Sequence, residues 1–174
     1  MKVAFATGAD DIEEITDLIN RVYADGEAGL WLPGAERTTI DEVTSIIRGG
    51  ELVIARDDDG RIAGAVRAVR LTDEAGDFGE FGMLVADPGR RNTGIGRDLV
   101  AFAEQWARDQ GLTRMQLELL VPREWQHPVK EFLRAWYTRL GYRLVRTGRL
   151  EEGYPHLQPL LATPCDFLIY HKDL

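Results

Sequence analysis

The sequence predicts an α/β protein with a mixed, mostly antiparallel central sheet flanked by helices, in the order β-α-α-β-β-β-α-β-α-β-β. Three observations carry this. Strand-like and helix-like periodicities alternate along the chain instead of segregating. Asp57-Asp-Asp-Gly60 separates two apolar runs, and its Asp-Gly end is the strongest hairpin signal present. Phe81-Gly-Met-Leu-Val85 reads as a buried strand that passes, through a loop rich in Gly and Arg, into a helix with Ile95, Leu99, Phe102 and Trp106 on one face.

The elements follow in order. A first strand surrounds Val3 and Phe5. Asp10, with Glu13 three residues on, reads as the N-cap of a helix whose stripe is Ile12, Ile15, Ile19 and Val22, and the pattern dissolves over 25–29. Thr39 with Glu42 makes a second capping box, Val43, Ile46 and Ile47 the buried side, and Gly49 the stop. Strands over 51–56 and 61–71 flank the hairpin turn, whose acidic triplet reads as a solvated tip because no matching ligands surround it. The strand over 78–86 should place Glu80, Gly82 and Leu84 on one face and Phe81, Met83 and Val85 on the other. A helix from about residue 94 to 110 stops at Gly111. A strand over 115–121 ends at Pro122, and the next helix carries Val129, Phe132, Leu133, Trp136 and Leu140 at helical spacing up to Gly141. A strand over 142–150, a proline-containing loop over 151–164 and a strand over 166–171 close the chain.

With 174 residues, 44% hydrophobic and 29% charged, the chain has the length of one domain and the composition of a globular protein, so residues 1–174 are expected to form a single domain. No apolar run has spanning length and the first residues carry no signal-peptide pattern, so a cytoplasmic setting without a membrane partner is expected. The lone Cys165 excludes an internal disulfide and is expected to be a small buried strand residue; no Cys/His cluster has metal spacing, so no metal is expected. A net charge of −8 argues against non-specific nucleic-acid binding and is compatible with cationic amine substrates without identifying one.

The loop in Val85-Ala-Asp-Pro-Gly-Arg-Arg-Asn-Thr-Gly-Ile-Gly-Arg-Asp-Leu99 suits an anion. A helix start offers N–H groups without intrahelical acceptors and the positive end of the dipole. Gly94 and Gly96 remove the Cβ atoms that would block a phosphate. A P-loop would need Gly-Lys-Ser/Thr here, and a dinucleotide fingerprint a third Gly where Leu99 stands; neither fits. Arg91-Asn-Thr-Gly94-Ile-Gly96 resembles the Arg/Gln-x-x-Gly-x-Gly/Ala signature of the GNAT superfamily of acyl-CoA-dependent N-acyltransferases. Ala135-Trp-Tyr137-Thr-Arg-Leu-Gly141-Tyr142 resembles the Tyr-x-x-x-Gly-Phe/Tyr segment near the end of such domains.

The resemblance implies the GNAT fold and acetyl-CoA, or another acyl-CoA, as co-substrate, bound where the central strand and the next one separate. It implies that Leu84, Val85 and Ala86 pair through their backbone with the pantetheine arm, and that an N–H there polarises the thioester carbonyl. Arg91, Asn92, Thr93, Gly94, Ile95 and Gly96, with Arg97 beside them, would hold the pyrophosphate, and Arg90 either reaches the outer phosphate or stays solvated. The implied reaction is direct attack of a primary amine, on a small molecule or peptide, with no covalent enzyme intermediate. The alternative is a non-catalytic acyl-CoA-binding or sensing module. A homodimer is an expectation from family habit alone.

The attacking amine must lose a proton and the leaving thiolate must gain one. A lysine-like amine with pKa ~10.4 is neutral in about one molecule in 10³ at pH 7, an α-amine near ~7.7–8.0 in roughly one in ten. Two carboxylates compete as general base. Glu80 lies eleven residues before Arg91, where several GNAT members carry a catalytic glutamate; Leu117-Glu-Leu119 resembles the Leu-Glu-Val of members with the base on the next strand, which nominates Glu118. Tyr137 is the candidate acid, since a phenol near ~10 can protonate the thiolate of a thiol near ~8.5. Seven residues earlier, where many GNATs carry Asn, stands Lys130, directed either to the cofactor or to solvent. Trp31, which the resemblance places in a loop lining the acceptor pocket, and Trp125, His127, Tyr154 and His156 in later loops are candidate acceptor contacts, with ordinary packing or loop roles as the alternative.

Overall fold

The computed structural model describes residues 1–8, 10–90 and 93–174. Its elements are β1 (Lys2–Phe5), α1 (Ile12–Gly26), α2 (Ile40–Arg48), β2 (Leu52–Arg56), β3 (Ile62–Asp73), β4 (Gly76–Ala86), α3 (Ile95–Asp109), β5 (Arg114–Pro122), α4 (Pro128–Arg139), β6 (Arg143–Gly148), α5 (Leu150–Gly153) and β7 (Cys165–Asp173). The α/β class and the predicted order hold. The addition is α5, a single turn that replaces the end of the strand expected over 142–150 and the start of the following loop, where the Arg149 N–H donates to Glu152 Oε1 at 3.0 Å. The chain forms two compact units, one of residues 1–24, 36–115 and 174, the other of 25–35 and 116–173.

In the first unit the strands run β1-β2-β3-β4, each antiparallel to the next. Ile15, Leu18 and Ile19 of α1 and Val43, Ile46 and Ile47 of α2 join Leu52, Ile54, Ala65, Met83 and Val85 in one buried cluster. Each of these side chains larger than alanine contributes about 1.5–3 kcal/mol on full burial. The opposite face carries α3, and two glycines let it approach. A Cβ on Gly64 would stand 2.6 Å from Ile95 Cγ2 and 2.7 Å from the Val85 carbonyl; one on Gly79 would stand 3.1 Å from Ala107 Cβ.

β4 breaks the simple alternation. Gly82 faces Arg67 and Val85 faces Ala65, so Met83 and Leu84 together oppose Val66, and Met83 adopts φ 52°. One extra residue turns everything beyond it to the other face. Directly opposed residues share a face, so Glu80, Gly82 and Val85 lie on the side of Ala65 and Arg67, whereas Leu84 and Ala86 lie on the side of Gly64. The expectation that Glu80 and Leu84 share a face is thereby corrected.

Two helix caps also differ. α1 is capped by Asp11, whose Oδ1 accepts the Glu14 N–H at 3.0 Å. The Asp10 carboxylate instead takes the Thr7 N–H at 2.6 Å and the Arg56 guanidinium. Burial would raise Asp10, but these bonds outweigh it and hold the carboxyl below its usual range. At α2, Thr39 Oγ1 accepts the Glu42 N–H at 3.1 Å, while the Glu42 carboxylate takes the Thr38 hydroxyl, so half of the expected box forms. Gly49 is the C-cap of α2, as expected, and the left-handed residue is Gly50 directly after it, φ 67°.

In the second unit β7 lies between β5 and β6, antiparallel to β6. Residues 30–32 form a short ladder with 160–162: the Leu32 N–H donates to Leu160 O, and the Ala162 N–H to Leu30 O, both at 2.8 Å. Leu30, Leu120, Leu150, Cys165, Phe167 and Ile169 form the cluster beneath, with Trp31, Leu157 and Leu161 packed on it. The stripe expected on α4 is corrected. Phe132 is 59% exposed and Val129 is exposed too, whereas Lys130 and Tyr137 are buried. A count of apolar spacing cannot place a lysine on the inner face, and Lys130 is there because it is paired.

Cys165 is buried at the start of β7, and burial pushes its thiol up to about 11. Its reaction with a disulfide reagent at pH 8 should therefore be slower than that of a free cysteine by roughly 100-fold, in proportion to the lost thiolate. Fast labelling of the folded protein would contradict its burial. Gly64→Ala should cost about 1–3 kcal/mol through overpacking against Ile95, lowering Tm by roughly 2–12 °C in a chain of this size. Calorimetry checks this, and an unchanged Tm would mean that α3 shifts freely.

Candidate active site

Beyond β4, the Asp87 N–H still donates to Ala63 O at 2.9 Å, and Pro88–Arg90 makes a 3-10 turn in which Asp87 Oδ1 accepts the Gly89 N–H at 3.0 Å. Arg90 pairs with Asp57 of the β2–β3 turn and lies 3.8 Å from Asp87. It is thus paired with carboxylates while its side chain stays 33% exposed. Arg91 and Asn92 lie outside the described residues. The Thr93 hydroxyl donates to Arg90 O at 2.7 Å.

Gly94 stands at the N-cap of α3 with φ 84°, a conformation that favours glycine. Its carbonyl accepts the Asp98 N–H at 2.9 Å, so the N–H groups of Ile95, Gly96 and Arg97 precede the first intrahelical bond. The N-cap residue offers no side-chain cap. Ile95 itself is pressed into the sheet over Gly64. Arg97 is exposed, 3.7 Å from Asp98, and its Nη2 would lie 3.2 Å from a Cβ on Gly94. This is an open, dipole-favoured N-terminus of a fifteen-residue helix, which suits a pyrophosphate. Leu84 and Ala86 are half-buried and Val85 buried at the end of β4.

In the second unit Tyr137 is 6% exposed, its ring 5.1 Å from that of Trp136 and edge-on to Tyr142 at 6.2 Å. Two turns earlier, Lys130 Nζ donates to Glu27 Oε1 at 2.6 Å. Lys130 is therefore turned to Glu27 and away from solvent. The other Glu27 oxygen accepts the Trp31 Nε1–H, also at 2.6 Å. Glu27 is the residue that sequence reasoning missed, for its only local signal is an acidic side chain in a glycine-bounded turn.

Trp125 lies over Gly29, stacks on His127 at 5.4 Å and donates its Nε1–H to Thr163 Oγ1 at 3.2 Å. His127 is buried and its Nε2 is 3.1 Å from Ala28 O; a carbonyl only accepts, so the proton is on Nε2. Its Nδ1 has no hydrogen-bond partner among the described residues. Trp31, Trp125 and His127 thus gather around residues 27–31. Tyr154 donates its hydroxyl to Glu118 Oε2 at 3.2 Å and stands edge-on to Phe167 at 5.9 Å. His156 is exposed, and Glu80 is half-buried in the first unit. Among the described residues no group of three or more His, Cys, Asp or Glu could hold a metal ion, and no helix is long and apolar enough to cross a membrane.

The sequence profile described as the Acetyltransferase (GNAT) family matches residues 12–142, a stretch that runs through both units. No curated protein matches the sequence. Three solved structures share the fold. A ribosomal-protein-alanine N-acetyltransferase from Brucella melitensis is 16% identical with TM-score 0.72, covering 100% of each chain. An aminoglycoside 6'-N-acetyltransferase complexed with coenzyme A is 16% identical with TM-score 0.73, covering 99% of this chain and 97% of that one. A mosquito arylalkylamine N-acetyltransferase like 5b is 14% identical with TM-score 0.73, covering 99% of each. With a family match over most of its length and a helix start that fits the coenzyme's pyrophosphate, the chain belongs to the GNAT family of acetyltransferases, whose acetyl donor is acetyl-CoA.

Proposed function

We propose that this chain moves an acetyl group from acetyl-CoA to a primary amine, on a small molecule or a peptide, by direct attack in a ternary complex. The observation that carries the reading is the start of α3, where a left-handed glycine opens three backbone N–H groups directly beyond the end of β4. Their partial positive charge matches a pyrophosphate. Arg97 adds an exposed guanidinium, Arg91, Asn92 and Thr93 complete the loop in sequence, and Leu84, Val85 and Ala86 supply extended backbone for the pantetheine arm. Residues 1–174 are taken as one catalytic domain because the family match spans both units. A cytoplasmic setting suits a reduced, buried Cys165 and a chain whose described helices include none of membrane-spanning character.

In the reaction the amine nitrogen bonds to the thioester carbon, the C–S bond breaks, and sulfur leaves with the electron pair. Tyr137 is assigned as the acid that protonates the thiolate. Its packing between Trp136 and Tyr142 holds the phenol in one orientation, which favours proton transfer to a fixed point. The proton released by nitrogen goes to Glu80 or Glu118. Glu118 shares its neighbourhood with Tyr154 and Phe167, and a carboxylate beside aromatic rings suits an ammonium ion. Trp31, Trp125 and His127 shape the adjoining loop and are assigned to the acceptor side.

Side-by-side calorimetric titration with acetyl-CoA, CoA and ATP tests the reading. The two CoA forms should bind and ATP should not compete with them, and Gly94→Glu should weaken CoA by tenfold or more, about 1.4 kcal/mol, by placing a carboxylate and a strained backbone at the anion site. A wild-type chain that ignores CoA would defeat the proposal. Tyr137→Phe should lower kcat by roughly 10²–10⁴ while CoA affinity holds; equal losses in both would remove the acid role. Of Glu80→Gln and Glu118→Gln, the one that removes the base should flatten the acidic limb of the kcat/KM profile, and the other should leave it intact.

A further inference from the structure

The second unit contains an ion pair unlike the rest. Among the described pairs, Glu27–Lys130 alone has both side chains at 10% exposure or less. Both Glu27 oxygens are used, one by Lys130 Nζ and one by the Trp31 indole N–H, each at 2.6 Å. Stability alone is a poor reason for such a pair, because apolar residues of similar volume often hold a fold as well or better. What the pair supplies is direction. It joins residues 103 apart in sequence and sets the Trp31 rotamer and residues 27–31 against α4. The His127 bond to Ala28 O and the Trp125 ring over Gly29 hold the same stretch.

This stretch leads straight into the 30–32/160–162 ladder, which exposes Leu32 and Leu160. Trp31 packs on the cluster that contains Phe167, and Tyr154 rests on Phe167 while donating to Glu118. Lys130 and Tyr137, seven residues apart on α4, lie on one helical face. One buried contact therefore links the helix bearing the proposed acid to a wall that combines apolar side chains with a carboxylate.

We infer that Glu27 and Lys130 are positioning residues for the acceptor: their pair orients Trp31 and the ladder beside Glu118 and Tyr154, and thereby fixes how an amine with an apolar body is held. This rests on the acetyltransferase reading above. The pair touches no reacting atom; it acts through Trp31.

The test compares the wild-type chain, Lys130→Met, and the double variant Glu27→Leu/Lys130→Met. Lys130→Met strands a buried carboxylate and should lower Tm by roughly 10 °C. The double variant removes both charges and should melt within about 4 °C of wild type. In it, amide exchange at Leu32 and Ala162 should accelerate by about tenfold or more while Ala6, bonded to Leu52 O in the first unit, keeps its protection. CoA affinity should hold. Kinetics use whichever of kanamycin, 2-phenylethylamine and an alanine-initiated tetrapeptide gives the fastest thiol release; its KM should rise by about tenfold with a smaller change in kcat. Lys130→Arg, which keeps the charge, should recover most of the KM. Should the double variant melt early, Trp31→Phe replaces it: the ion pair stays, the indole N–H goes, and KM should still rise ahead of kcat. Unchanged KM in a variant that still binds CoA overturns this inference alone. A wild-type chain that neither binds CoA nor acetylates any of the three amines overturns the transferase reading and this inference with it.

Discussion

The seating of α3 depends on side chains that are missing. Gly64 and Gly79 let the helix lie close to β3 and β4, and at Gly64 the gap is already filled by Ile95 Cγ2 and the Val85 carbonyl. Ile95 is also the first residue of α3, so the contact that buries it also sets where the free N–H groups open beyond β4. Interiors this densely packed transmit small displacements. The proposed anion site is therefore a property of helix–sheet packing as much as of the loop, and a change at residue 64 would be felt at Gly94.

The bulge in β4 is the second constraint. A non-glycine residue at φ 52° costs on the order of 1–3 kcal/mol, and burial of the Met83 side chain among Ile15, Val43 and Ile54 offsets a cost of that size. In return, Val85 is turned into the α1–α2 core while Leu84 and Ala86 face α3. Without the extra residue, Val85 would point toward α3 and the cluster beneath α1 and α2 would lose its end. The bulge also interrupts the β3 ladder between Gly82 and Val85, at the end of the strand proposed to receive an extended substrate arm.

What was legible in the sequence is what neighbouring residues decide among themselves. The Asp-Gly turn at 57–60, the Thr39 cap and the left-handed glycines that follow α3 and α4 each depend on a handful of adjacent residues, and each is found. Even so, Asp10 reads locally as the α1 cap, whereas Arg56, far along the chain, claims it and leaves the cap to Asp11. The Met83 bulge had no glycine to announce it. Lys130 was unreadable for the same reason as Asp10: its partner Glu27 comes from a distant turn, and with that partner unknown the inner face of α4 was assigned to Val129 and Phe132. Trp31, Trp125 and His127 were picked out for their chemistry, but their grouping around residues 27–31 is a product of tertiary contacts.

The division of labour in the proposed reaction follows from proton chemistry. Burial pushes the only thiol in the chain up to about 11, which makes it a poor nucleophile at neutral pH and agrees with the proposed direct transfer, in which no acyl-enzyme forms. The barrier then lies in the amine's proton, and its size depends on the acceptor: a lysine-like amine must recover a factor of about 10³ that an α-amine largely does not need. A base close to the nitrogen matters most for the more basic amines. Glu118, hydrogen-bonded by Tyr154 on the wall that Trp31 helps to build, ties the base to the acceptor loops, whereas Glu80 ties it to β4 and the coenzyme strand. Which carboxylate acts therefore also decides whether changes in the acceptor loops can alter kcat or only KM.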